Sequence, residues 1–218
     1  MKGYRFIALC LISVLAIFLS ACDGYVEYIC PQNEILNIYR SPKITSYTIQ
    51  KVAIIPMAQD DATQNGTFYP TNHFLNILEK RFPTRTFFVP IPDNSNAVDS
   101  LISDLIGSIE KLKRLDFKII NNSELAYSII KEKPDAVLIG NFGKLTNDKR
   151  YKGRARATLT SCEITYYLVS MKDGGVLCKA NALGEEGYYL PKNIEAYPPL
   201  DYAISNAIDK IVEKILFN

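Results

Sequence analysis

Lys51–Met57 (KVAIIPM) and Asp135–Phe142 (DAVLIGNF) are the two stretches that decide the fold. Each is a short, nearly continuous apolar run, and the first ends in proline. A run of that length without polar alternation suits a buried strand. Between the two, Phe74, Ile77, Leu78 and Phe82 repeat at helical spacing. Val98, Leu101, Leu105, Ile109 and Leu112 give a longer amphipathic helix after the Asp93-Asn94-Ser95 breaker. Thr86–Ile91 (TFFVPI) is β-branched and aromatic, and Pro90 and Pro92 mark it as an edge strand or an early exit.

Asp116–Ile120 (DFKII) reads as another short strand, and Asn121 with Glu124 as the start of a helix that runs to Lys131 before Pro134. A basic, turn-like patch follows the second apolar run. Thr158–Met171 and Val176–Ala182 then read as a hairpin about Asp173-Gly174. Residues 184–200 read as a Gly/Tyr/Pro-rich loop. Ile204, Ile208, Ile211 and Ile215 place one apolar stripe on a C-terminal helix. Strand and helix alternate, then a hairpin and a helix close the chain. The expected fold class is α/β: a single domain, residues 50–218, with a mixed β-sheet, packed helices and a C-terminal closing helix.

The N-terminus carries a different signal. Lys2 and Arg5 precede an apolar run from Phe6 to Leu19, interrupted only by Ser13, and small residues then lead to Cys22. At roughly 14 residues the run is too short to span a bilayer as a helix, which needs about 20. The ending Leu19-Ser20-Ala21-Cys22 resembles the bacterial lipobox, in which the cysteine thiol is diacylglycerated, the peptide is cut before it and the new amine is acylated, for example with palmitate. The resemblance implies a lipoprotein signal peptide at 1–21, lipidation at Cys22, an anchor and linker at 22–49, and attachment to a bacterial membrane through acyl chains. Tyr25, Tyr28, Ile29, Ile35, Leu36, Ile38 and Tyr39 make the linker too apolar for a freely solvated tether, so part of it is expected to lie on the domain. Asp23 resembles an inner-membrane retention signal of enteric bacteria, whereas relatives of the fold named below often sit in the outer membrane. The expected location is the periplasm-facing Gram-negative cell envelope, with both membranes open.

Of 25 Lys and Arg, Lys2 and Arg5 leave with the signal, so 23 face 23 Asp and Glu and the anchored chain is formally neutral. That balance, without a polybasic block, argues against nucleic acid as a partner. Of five cysteines, Cys10 leaves with the signal and Cys22 is acylated, which leaves Cys30, Cys162 and Cys178 and at most one internal disulfide. With a two-residue turn at Asp173-Gly174, Val169 faces Cys178 and Cys162 lies roughly 23 Å further along its strand, too far to pair. Pairing of Cys30 with either stays open. The one histidine, His73, and the lack of a Cys-x-x-Cys pair give no zinc site.

KVAIIPM, the helix behind it, DFKII, Pro134–Gly140 and the hairpin Thr165–Leu177 (TYYLVSMKDGGVL) together resemble the domain shared by curli-secretion channel subunits (CsgG-like), the activator LpoB and the N-terminal domain of TolB. The extra helix and strand between residues 73 and 114 resemble small curli-secretion-related lipoproteins of unassigned function. Curli-type channels thread two membrane hairpins per subunit through this domain. The matching gaps here are Lys144–Ala157, with six Lys or Arg in fourteen residues, and Gly184–Leu200, which is broken by proline. Neither is expected to supply a membrane hairpin, whose strands need about 9–11 residues with an alternating apolar face. The tether is also short for an LpoB-like activator.

No enzyme motif emerges. His73 is expected in a surface or capping role. Gly140-Asn141-Phe142-Gly143 lacks the Lys-Ser/Thr of a phosphate cradle and closes a buried strand. Asp60-Asp61 and Glu185-Glu186 are expected as solvated carboxylates in loops. Two stretches are candidate contact surfaces. Lys149, Arg150, Lys152, Arg154 and Arg156 would meet anionic material such as phospholipid head groups, peptidoglycan carboxylates or an acidic protein surface. Tyr188, Tyr189, Tyr197 and Tyr202 would supply interface aromatics or cap the core. The expectation is a non-enzymatic, lipid-anchored envelope protein without cofactor, whose domain binds or regulates an envelope machine of cell-wall synthesis or surface assembly through an unidentified envelope protein. The alternative is a ring-forming structural subunit of a secretion or surface-appendage complex, a homo-oligomer.

Overall fold

In space the two apolar runs are neighbours. In the computed structural model, which describes residues 31–57, 70–90, 95–123, 125–152, 155–189 and 196–215, β2 (Lys51–Ile55) and β4 (Ala136–Lys152) pair in parallel, with Val52 opposite Ala136 and Ile55 opposite Ile139. The signal stretch 1–21, Cys22, Asp23, Cys30, Asp60, Asp61 and Arg154 lie outside the described residues. β2 also pairs in parallel with the three-residue β3 (Thr86–Phe88). β5 (Ala155–Ser170) and β6 (Val176–Tyr189) continue the sheet antiparallel, and β1 (Glu34–Arg40) forms its edge on β6. The order is β1-β6-β5-β4-β2-β3, a mixed six-stranded sheet. Ile35, Leu36, Ile38 and Tyr39, from the linker stretch expected to lie partly on the domain, are thus strand residues.

The unbroken apolar runs follow from burial on both faces. Val52, Ile54, Ala136 and Leu138 point into one core with α1 (Pro70–Arg81) and the C-terminal α5 (Leu200–Ile215). Ala53, Ile55, Val137 and Ile139 point into a second core under α2 (Ser95–Leu112), α3 (Phe117–Asn121) and α4 (Ala126–Glu132). Each fully buried Ile or Leu contributes roughly 1.5–3 kcal/mol relative to exposure. In the first core Phe74 stacks on Tyr166 with ring centroids 4.3 Å apart. Ile204, Ile208 and Ile211 of the expected stripe are fully buried, so α5 docks on the sheet. Gly184 permits that docking, because a Cβ there would stand 2.0 Å from the Ala203 carbonyl oxygen.

Four local expectations are corrected. DFKII is helix α3 rather than a strand: Asp116 accepts the Lys118 N–H at 3.0 Å as an N-cap, and the buried Ile120 turns under α2. α4 begins at Ala126, because Asn122 ends α3 by donating its N–H to the Lys118 carbonyl at 3.1 Å. On α2 the inward face is Ile102, Leu105, Ile106 and Ile109, while Leu112 is exposed.

The β5–β6 turn is wider than two residues. Ser170 N–H bonds the Gly175 carbonyl at 2.9 Å, enclosing Met171–Gly174, with Gly174 at φ +72°. A register shift then sets Leu168, not Val169, opposite Cys178. Cys162 and Cys178 are both buried and free of disulfide.

The largest difference lies beyond Gly140. The expected basic turn and Gly/Tyr/Pro-rich loop are, up to Tyr189, strand: β4 continues to Lys152 and β6 to Tyr189, so the sheet extends as a long three-stranded ribbon. A bulge between Phe142 and Leu145 marks where the ribbon leaves the inner sheet.

Candidate functional site

At the root of that ribbon stands a carboxylate that sequence reasoning placed in solvent. Glu185 is 3% exposed. Strand pairing puts it opposite Ser161, whose hydroxyl donates to Oε1 at 3.1 Å. Arg150 Nη2 donates to the same oxygen at 2.6 Å, and the Gln32 N–H donates to Oε2 at 2.7 Å. The Glu185 main chain is held as well. Its N–H donates to Asn33 Oδ1 at 2.7 Å, and its carbonyl accepts from Asn206 Nδ2 at 2.8 Å. Four segments meet here: the entering chain, β4, β5 and α5. A buried carboxylate is tolerated when it is paired and its lone pairs are filled, and that condition is met.

The five basic residues therefore do not act alike. Arg150 is turned to Glu185. Arg156 is 7% exposed, opposite Tyr151 in register. Lys149 pairs with Thr158 and Lys152 with Ala155 across the hairpin, and Arg154 lies outside the described residues. Tyr151, Tyr188 and Tyr189 stand exposed at 54%, 37% and 52% on the same outer strands, and Tyr202 at 54% on the first turn of α5. The outer part of β4 presents Asn147, Asp148, Lys149 and Arg150 in sequence, with no alternating apolar face. Thr158 and Thr160 fasten the chain before α5 to the ribbon, through the Ala196 carbonyl at 2.5 Å and the Pro198 carbonyl at 2.6 Å. A groove of about 270 Å³ lies there, lined by Leu145, Asn147, Thr160, Tyr197 and Leu200 among others.

A larger groove, about 370 Å³, opens on the other face beside Tyr39, Glu110, Lys113, Tyr167 and Lys179. Tyr167 donates to Glu110 Oε1 at 2.9 Å, and Lys179 Nζ stands 5.0 Å from its ring centroid. Burial, with the neighbouring Glu110 carboxylate, pushes the Tyr167 phenol well above its ordinary range.

His73, on α1, meets α5: Ser205 Oγ is 2.9 Å and Asp209 Oδ1 3.6 Å from its Nε2. The three residue types are those of a hydrolase triad, but both oxygens approach the same ring nitrogen. A triad needs the carboxylate on the nitrogen opposite the serine, so this cluster is a helix–helix fastening. Burial raises the Cys162 thiol to about 12 and the Cys178 thiol to about 11, which leaves neither as a nucleophile near neutral pH. Among the described residues no cluster of three or more His, Cys, Asp or Glu could hold a metal. Among them too, no helix is long and apolar enough to cross a membrane.

No family model matches the chain. No curated protein matches it either. Among solved structures, it is similar to a subunit of the PelC dodecamer from Paraburkholderia phytofirmans, at 10% identity and TM-score 0.42 over 83% of this chain and 95% of that one. It is similar to lipoprotein GNA1162 from Neisseria meningitidis, at 14% identity and TM-score 0.35 over 76% of this chain and 99% of that one. The hypothetical protein CT253 from Chlamydia trachomatis gives 8% identity and TM-score 0.40 over 77% and 95%.

Proposed function

We propose that this protein is a non-enzymatic, lipid-anchored envelope protein, held at Cys22 and facing the periplasm, whose α/β domain binds or regulates an envelope machine. The observation that carries the reading is the Leu19-Ser20-Ala21-Cys22 ending behind a charged and apolar leader. The domain adds support through its exposed side chains. Tyr151, Tyr188, Tyr189 and Tyr202 gather near one end of the sheet, and Leu36, Ile38 and Tyr39 line its β1 edge, the kind of surface that protein contacts use. The strand pattern's resemblance to CsgG-like, LpoB and TolB N-terminal domains points to the same class. Of the five basic positions, Lys149, Lys152 and Arg154 are read as its anionic contact, whereas Arg150 is turned to Glu185 and Arg156 is buried.

A second reading is a ring-forming structural subunit. The specific feature favouring it is β1, a strand whose outer side is unpaired among the described residues and which exposes three large apolar residues. Crosslinking in intact cells, followed by size measurement in mild detergent, separates the two. One copy joined to a different envelope protein supports regulation, and a closed ring of many copies supports the structural role. An uncrosslinked monomer released without detergent contradicts both.

A further inference from the structure

The way the chain enters the sheet fixes which end of the domain stands nearest its N-terminal residues. Pro31 lies against the Gly187–Leu159 pair, so close that a Cβ on Gly187 would stand 3.0 Å from Pro31 Cγ. The next residue, Gln32, donates its N–H to the buried Glu185 carboxylate, and Asn33 accepts the Glu185 N–H. From there β1 runs down the sheet to Arg40, opposite Cys178. Pro31 is therefore held beside the outer part of β4, β5 and β6.

We infer that this outer end lies against the head groups of the membrane that carries Cys22; the placement rests on the lipid-anchor reading. Nine residues from Cys22 to Pro31 span no more than about 32 Å, even fully extended. Tyr189 lies opposite Ala157 and Tyr151 opposite Arg156, so both tyrosines are within about 10 Å of the Leu159 position along β5. The other end of β5, at Ser170, lies about 36 Å in the opposite direction, beyond the reach of the tether.

The chemistry at the near end suits a lipid surface. Tyr151, Tyr188 and Tyr189 are exposed, and tyrosine favours the boundary between head groups and water. Lys149 belongs to the same stretch of β4, where a cation gains from anionic head groups. Of the nearby carboxylates, Asp148 accepts its neighbour's N–H at 2.7 Å, and Glu186 is reached by Asn206 at 3.4 Å. Arg150 does not add to this surface, because it neutralises Glu185. The Glu185 cluster thus sets the tilt of the domain by fixing where the tether departs.

The chain contains no tryptophan, so one introduced residue gives an unambiguous fluorescence signal. Tyr151→Trp and Tyr189→Trp would each be compared with Lys172→Trp, an exposed position in the β5–β6 turn at the far end. The acylated protein, cut before Cys22, is placed in phosphatidylglycerol-containing vesicles with brominated lipid as quencher. At least twofold stronger quenching at residues 151 and 189 than at 172 is expected. Protein that floats with the vesicles but shows equal quenching at all three positions overturns the placement alone. Failure of the wild-type protein to float overturns the lipid anchor, and the placement with it.

Discussion

The inner sheet and the outer ribbon that continues three of its strands are held together by different forces. In the inner half, Val52–Ile55 and Ala136–Ile139 are all fully buried, and two apolar cores cover both faces. In the outer half Ala157 and Leu159 are buried as well, but beside them lie the buried polar groups Thr158, Thr160, Ser161 and Glu185, each engaged in named hydrogen bonds. Apolar burial is non-directional and tolerates small shifts. A hydrogen-bonded carboxylate does not, and loss of one partner leaves the other group stranded. The inner half therefore sets stability, and the outer half sets geometry, including where the N-terminal segment is held.

Substitutions at the junction should break this division most severely. Gly184→Ala would drive a Cβ into the backbone of α5, 2.0 Å from the Ala203 oxygen and 2.4 Å from the Ala207 nitrogen. A loss of about 4 kcal/mol in denaturant unfolding is expected, at the upper end for a single substitution. A loss under about 1 kcal/mol would mean that the helix can retreat from the sheet. Ile208→Ala and Ile211→Ala come next, each removing a fully buried side chain from the inner half. About 3 kcal/mol apiece is expected in the same measurement. Unchanged stability with loss of an envelope partner would instead make α5 a contact surface.

Glu185→Ala tests the outer half. Breaking a buried pair costs about 3–5 kcal/mol, and Arg150, with a quarter of its side chain exposed, lowers that to about 2 kcal/mol. The more telling readout is local. Amide exchange should quicken across residues 32–40 while Val52–Ile55 stays protected. Uniform loosening of both regions would contradict the division.

The smallest effect concerns Asp173. The Tyr47 hydroxyl donates to it at 2.7 Å, and that bond, followed by the Gly175 N–H, holds its carboxyl below the ordinary range. A carboxyl with a lowered folded-state pKa adds stability above its unfolded value, and that stability is lost as pH falls through the folded value. The wild-type midpoint should therefore fall slightly more than that of Tyr47→Phe between about pH 5 and about pH 2. Parallel curves would show that the bond does not count in solution.

The same contrast explains what could be read from the residues alone. KVAIIPM, DAVLIGNF and the stripe Ile204, Ile208, Ile211 announce themselves because covered surfaces demand apolar residues at fixed spacing. Lys144–Ala157 hides its strands, because a ribbon with polar partners imposes no such pattern, and six basic residues read as a turn. Glu185 looks like any loop glutamate until the pairing with Ser161 places Arg150 and Gln32 around it. DFKII misleads through its β-branched isoleucines, whereas Asp116 in front of them acts as a helix cap. His73 and Ser205 meet across 132 residues, a contact that only the packing of α1 on α5 creates.

Everything proposed about orientation and partners depends on one sulfur. Metabolic labelling with a fatty acid, comparing wild type with Cys22→Ala, tests it directly. The account predicts label on the wild-type protein and none on the variant, which should persist as an uncleaved precursor. Label remaining on Cys22→Ala, or missing from the wild type, would contradict it.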